Sequence, residues 1–295
     1  MLSLGDLRSL ADKFGDCLDV KVQEFDIQGR RFNFNEKSYL MGVINLSPDS
    51  WYRESVCLTG GQAQFRGMRL SVEGADIVDI GAETTILEGK KVNESEQAAR
   101  LVPIIKNLSS LKIPMSVETY HLSVAEKCLN AGAGVLNLTG NADSKDFFRM
   151  VAERNAAVIL CYVQGDNVRD VSNISLDEDM IPKLHDYFAR KIDEAVSVGV
   201  QRIFIDPGLG FYYHNLKDSA LRVRYQMKIF LNTFRLRKLG WPVCHALPHA
   251  FEYFEDEVRN AEPFFAVLAS LGKTDLLRTH EISKVRAVCK TMNIW

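Results

Sequence analysis

GADIVDIGAETT, residues 74–85, contains one complete structural unit of this protein. Gly74-Ala75-Asp76 stops a helix and turns the chain. ADIVDIG (75–81) is a short, Val/Ile-rich run suited to a strand buried on both faces. Gly81 to Thr85 then form a polar exit loop. The turning phrase returns at Gly132-Ala133-Gly134 and Gly199-Val200-Gln201. Working outward, seven similar runs follow at even intervals: SYLMGVINLS (38–47), IPMSVET (113–119), GVLNLTG (134–140), AAVILCYV (156–163), RIFIDPG (202–208), WPVCHALP (241–248) and DLLRTHE (275–281). Helical spacing fills the gaps at 95–111, 123–133, 180–200 and 262–273. Strands alternating with helices pair in parallel through right-handed crossovers. Eight such units predict an α/β fold of the closed (β/α)8, or TIM-barrel, kind.

VKVQEFDIQGRRFNFN (20–35) follows a different rule, alternating about a central Gln28-Gly29. It predicts a β-hairpin ahead of the barrel, closing its bottom. The expected organisation is an N-terminal extension over 1–37 and a barrel over 38–295. The basic run at 222–240 reads as the solvated face of a helix.

The chain has 295 residues, 46% hydrophobic and 25% charged, with a formal net charge of -2, as an ordinary globular protein does. No basic face points to nucleic acid. No run is long enough for a secretory signal or a membrane span. The six cysteines are scattered without a CxxC pair, so they read as reduced and signal no zinc site. A cytoplasmic protein without nucleic-acid or membrane partners is expected.

In a barrel of this kind, chemistry comes from the C-terminal ends of the strands. The polar residues there are Asn45, Ser47 and Asp49, then Glu83 to Thr85, Glu118, Asn137, Asp206, His245 and His249, and finally Arg278 and His280. Asp79, inside its strand, reads first as a packing residue, and His121 and His214 as solvent-facing loop residues. Glu118, Asn137 and Asp206 converge in an apolar mouth, where buried acceptors are costly unless a ligand donates to them. A flat heterocycle with an aminopyrimidinone edge supplies such donors in pairs. Arg278 and His280 share one face of their strand and offer positive charge to an anion.

Five segments resemble the dihydropteroate synthase, or pterin-binding, family, in order and at the right spacing: MGVINLSPDSW (41–51), GADIVDIGAETT (74–85), SVETYHLSVAEKCLNAGAGVLN (116–137), IDPGLGF (205–211) and LLRTHEI (276–282). The resemblance implies a transferase. It would condense 6-hydroxymethyl-7,8-dihydropterin diphosphate with p-aminobenzoate, or a related nucleophile, and release diphosphate. It implies Mg2+ as cofactor near Asn45. It implies pterin contacts at Glu118, Asn137, Asp206 and His249, and diphosphate-binding catalytic residues at Arg278 and His280. Ser47, Asp49 and Thr85 fall on the loops beside the second substrate, and a homodimer is implied.

Departures lie on the second-substrate side. The first loop loses an Asp near Arg53, the second has Ile86 in place of an Arg, the fourth strand loses a carboxylate after Asn137, and His249 falls near a lost Lys. Two alternatives therefore stay open at this level. One is a diverged pterin- or folate-binding barrel with another second substrate. The other is a non-catalytic binding paralogue.

Overall fold

The computed structural model describes residues 1–50, 52–84, 89–141, 144–170, 173–174, 178–211, 213 and 215–294. A helix α1 (Leu4–Lys13) leads in, capped by Ser3 and Asp6 in a reciprocal box. The hairpin β1 (Phe25–Ile27) and β2 (Arg30–Phe32) follows. Its turn residues Gln28 and Gly29 both have positive φ, 50° and 80°, the two-residue geometry whose twist matches paired strands.

Eight parallel strands form the barrel: β3 (Tyr39–Asn45), β4 (Ile77–Gly81), β5 (Met115–Thr119), β6 (Val135–Leu138), β7 (Ala157–Cys161), β8 (Ile203–Asp206), β9 (Cys244–Ala246) and β10 (Leu276–Thr279). Each lies within one of the eight apolar runs. The sheet runs β8-β7-β6-β5-β4-β3-β10-β9. A parallel bridge between Ile205 and Val243, with Ile205 N–H donating to Pro242 O at 3.1 Å, brings the two ends together. All five residues of β4 and of β7 are buried, which is why these runs are apolar throughout rather than alternating.

The outer helices are α2 (Gly60–Glu73), α3 (Glu94–Ser110), α4 (Leu122–Asn130), α5 (Ser144–Glu153), α6 (Ile181–Ser197), α7 (Ser219–Leu236), a four-residue α8 (Phe251–Phe254), α9 (Ala261–Leu271) and α10 (Ile282–Met292). Gly74 ends α2 at φ 110°, a left-handed cap that a side chain would strain. None of the described helices is long and apolar enough to cross a membrane. All six cysteines are unpaired, five of them buried.

The basic run keeps its expected solvated face at Arg224, Lys228 and Lys238 and departs from it at Arg235 and Arg237. It forms α7 and the turn after it, but Arg237 is buried and pairs with the buried Asp275. Arg235 grips Asp179 at 2.8 Å. Basic residues that must balance buried or half-buried acids cannot be recognised from charge spacing along one helix.

The hairpin lies under the N-terminal ends of the strands. Phe25 and Phe34 meet Phe204 edge-on at 5.2 and 5.3 Å. The Gln28 carboxamide donates to Gly132 O at 2.6 Å and accepts from Met115 N–H at 3.3 Å. The bottom of the barrel is thus filled by aromatic rings, and the opening is left at the other end.

A candidate active site at the barrel mouth

A cavity of about 150 Å³ opens at the C-terminal ends of the strands, and Asn45, Glu118, Asn137, Asp206, Arg278 and His280 face it. Parallel register brings them together. Glu118 on β5 is level with Asn137 on β6 and with Gly81 on β4.

Arg278 is the centre of the polar network. Its Nε donates to Asp79 Oδ2 and its Nη2 to Glu118 Oε2, both at 2.8 Å. Asn137 Nδ2 donates to the same Asp79 oxygen at 3.2 Å. Asp79 is fully buried, and its Oδ1 has no hydrogen-bond partner. It belongs to the site and is more than the packing residue its mid-strand position suggested. Asp206 accepts from Gly208 N–H at 2.8 Å. The turn needs glycine there, because φ is 76° and a Cβ would lie 2.5 Å from Tyr162 O.

Three buried carboxyls therefore face one guanidinium. Burial pushes Glu118 up to about 7, against the pull of Arg278 and with help from Asp79, Glu83 and Asp206. Burial likewise pushes Asp206 up to about 6, against the Gly208 N–H and Arg278. The mouth is rich in acceptors and short of donors, so it favours a ligand with donors along one edge.

His280 differs from its expected cationic role, and His249, expected as a pterin contact, is neutral as well. Burial, with Arg278 and Arg66 nearby, holds His280 well below its ordinary value and therefore neutral. Burial lowers His249 to about 4 despite the pull of Glu262. His280 thus brings no positive charge to an anion at neutral pH, and Arg278 is engaged by two carboxylates rather than free. Both imidazoles turn Nδ1 toward Glu262 on α9, His280 at 2.7 Å and His249 at 3.4 Å. The other oxygen of Glu262 accepts from the Thr279 hydroxyl and from the N–H groups of His280 (2.8 Å) and Glu281 (3.2 Å). Tyr52 stacks on both rings, 5.0 Å from His249 and 4.6 Å from His280, and its hydroxyl donates to Glu281.

Asn45 donates through Nδ2 to Ser55 Oγ at 2.6 Å, which leaves its amide oxygen as a donor for a cation. Mg2+ holds several waters and takes few protein ligands beside substrate phosphates, so a single amide oxygen fits it. Ser47 and Asp49 do not line the cavity. Ser47 Oγ accepts from Asp49 N–H at 3.4 Å, and the Asp49 carboxylate accepts from Lys90 N–H at 3.0 Å, so both organise loop backbone. Thr85, Ile86 and His214 lie outside the described residues. Arg53 donates to Pro48 O at 2.8 Å. On the second-substrate side, Arg169 donates to Thr84 O and Gly89 O, at 2.7 and 2.6 Å. Glu83 accepts from Val92 N–H at 2.7 Å and from the Tyr120 hydroxyl.

Sequence reasoning missed Tyr52 and Glu262. Glu262 lies on a helix whose period marks it only as inward-facing, and Tyr52 sits in a loop without period.

A polar cavity at the C-terminal mouth of a parallel eight-stranded barrel, ringed by strand-end acids, amides and an arginine, defines a (β/α)8-barrel enzyme. Residues 41–247 match the family described as pterin binding enzyme, and the chain belongs to that family. A dihydropteroate synthase of Synechocystis sp. is 26% identical over 99% of this chain and 100% of its own length. One of Clostridium beijerinckii is 31% identical over 74% of this chain and 76% of its own. Among solved structures, Xanthomonas albilineans dihydropteroate synthase with 4-aminobenzoic acid has a TM-score of 0.77 at 25% identity, covering 93% of this chain and 98% of that one.

Proposed function

We propose that this chain is a dihydropteroate synthase-type transferase, condensing 6-hydroxymethyl-7,8-dihydropterin diphosphate with p-aminobenzoate. The observation that carries the reading is the set of acceptors gathered at the cavity, Glu118, Asn137 and Asp206, which matches the donor edge of a flat heterocycle. The alignment over the full length of the Synechocystis relative supports the same activity. In the reaction, the bond from the pterin methylene carbon to the diphosphate oxygen breaks. The arylamine nitrogen attacks that carbon and loses a proton. This chain contributes positioning and electrostatics: Glu118 and Asp206 accept from the pterin edge, and burial of the mouth strengthens each bond. Arg278 bonds Asp79 and Glu118 and so keeps both carboxylates oriented, and its charge opposes the upward push of burial on Glu118.

Mg2+ is the proposed cofactor; Asn45 would hold it, and it would supply charge stabilisation to the departing diphosphate. A homodimer through α9 is also proposed. Phe264 and Leu271, one heptad apart, remain exposed there. The cytoplasm suits six unpaired cysteines. A second reading keeps the pterin pocket and changes the nucleophile. It is favoured by Arg169 spending its Nη groups on loop carbonyls and by the neutral His249.

Calorimetric titration with the pterin diphosphate and Mg2+, then p-aminobenzoate with a diphosphate-release readout, tests this. Binding with release supports the synthase. Binding without release favours the second reading. No binding refutes both.

A further inference from the structure

We propose that His249, His280 and Glu262 form a site for one divalent transition metal of the zinc class, separate from the Mg2+ position at Asn45. One donor atom from each lies within 4.8 Å of the other two. The Glu262 oxygen is 2.7 Å from His280 Nδ1 and 3.4 Å from His249 Nδ1. Tetrahedral zinc, with donors at about 2.0–2.1 Å, spaces them by roughly 3.4 Å. Small ring movements therefore complete the set.

Two imidazoles and one carboxylate are the ligands of known three-ligand zinc sites, whose fourth position stays open. Here the imidazoles line the cavity while Glu262 is fully buried behind them, so a further ligand would enter from the cavity side. A second, independent observation also points to a missing ligand. His249 Nδ1 is buried with no hydrogen-bond partner, and it is turned toward the Glu262 oxygen. The Tyr52 ring, stacked on both imidazoles, holds them in place. The remaining Glu262 oxygen is already bonded to the start of α10, so the carboxylate is oriented before any metal arrives. Coordination through His280 Nδ1 would require the neutral ring to carry its proton on Nε2. The three ligands come from a strand-end loop, a helix and a strand end, so no ligand spacing reveals them in the sequence.

The test uses the full chain, stripped with a chelator and titrated with Zn2+ alone and with Co2+ alone. One equivalent of Zn2+ should bind, and Co2+ should develop the intense visible absorption of a four-coordinate site. Millimolar Mg2+ should not displace either, since it prefers all-oxygen ligands. His249→Ala should weaken Zn2+ at least about tenfold, and Glu262→Gln should abolish the cobalt band. Cys289→Ser, removing the half-buried thiol, should change neither. If Glu262→Gln loses its circular dichroism, His249→Ala decides alone. No saturable binding, or equal affinity in His249→Ala, would overturn the proposal and leave Glu262 as a brace for His280. None of these readouts depends on synthase turnover.

Discussion

The two ends of the barrel use the same ingredients to opposite ends. At the bottom, Arg237 and Asp275 form a one-to-one buried pair. Arg237 also reaches Val20 O at 3.2 Å and Asn35 Oδ1 at 2.9 Å, and Asp275 takes Val243 N–H at 2.8 Å. At the mouth, one arginine faces Asp79, Glu118 and Asp206, and Asp79 Oδ1 and His249 Nδ1 have no partner. A balanced network stabilises the fold. An unbalanced one carries an energetic cost until a ligand completes it, and barrels segregate the two roles to opposite faces.

Arg237→Ala and Arg278→Ala should separate the ends most sharply. Removing one partner of a buried pair costs about 3–5 kcal/mol. Arg237→Ala should lose that much in denaturant unfolding while the surviving folded protein turns over normally. Arg278→Ala should also be destabilised, because it leaves the buried Asp79 unpaired, but it alone should lose turnover, by about 1000-fold or more, and should weaken pterin diphosphate more than bare pterin. Equal losses for the two ligands would show that Arg278 only balances Asp79 and Glu118.

Asp206→Asn tests the mouth from the ligand side. Charge-assisted bonds contribute about 1.5–3 kcal/mol, so calorimetry should show pterin affinity falling about 10- to 100-fold. The free protein should melt no lower than wild type, since a raised carboxyl is removed. A large fall in melting temperature would place Asp206 with the balanced, structural pairs.

A smaller effect should appear with pH. Glu118 and Asp206 keep their protons longer in the fold than in the unfolded chain. The stability this gives is complete below the ordinary carboxylate range. It is lost as pH rises through about 6 for Asp206 and about 7 for Glu118. Melting temperature of the ligand-free protein should fall by a few degrees from about pH 5 to about pH 8. Glu118→Gln should reduce that slope without abolishing it, because burial pushes Asp275 up to about 7 as well, and an unchanged slope would assign it to other groups. Tyr52→Phe is the mildest change. Losing the donor to Glu281 should cost about 1 kcal/mol in unfolding measurements, with pterin affinity unmoved.

The eight strands were legible because a buried parallel strand must be apolar on both faces, and the runs at 38–47 and 75–81 are. The hairpin turn was legible because Gln28-Gly29 supplies positive φ between alternating residues. Strand-end residues such as Glu118, Asn137 and Asp206 were legible for the same geometric reason: position along the strand sets the end at which a side chain emerges. Ser47 and Asp49 shared that position but turned to loop backbone, a choice that no local pattern encodes.

The sequence by itself determined the barrel, its order and the residues that reach its mouth, because strand period and helix stops act locally. Only the tertiary structure decided how those residues are charged and paired. Arg278 meets Asp79 and Glu118 across strands distant in sequence, and Glu262 comes from a helix to stand behind His280 and His249. Burial then sets the protonation of each group, and burial is a property of the closed barrel.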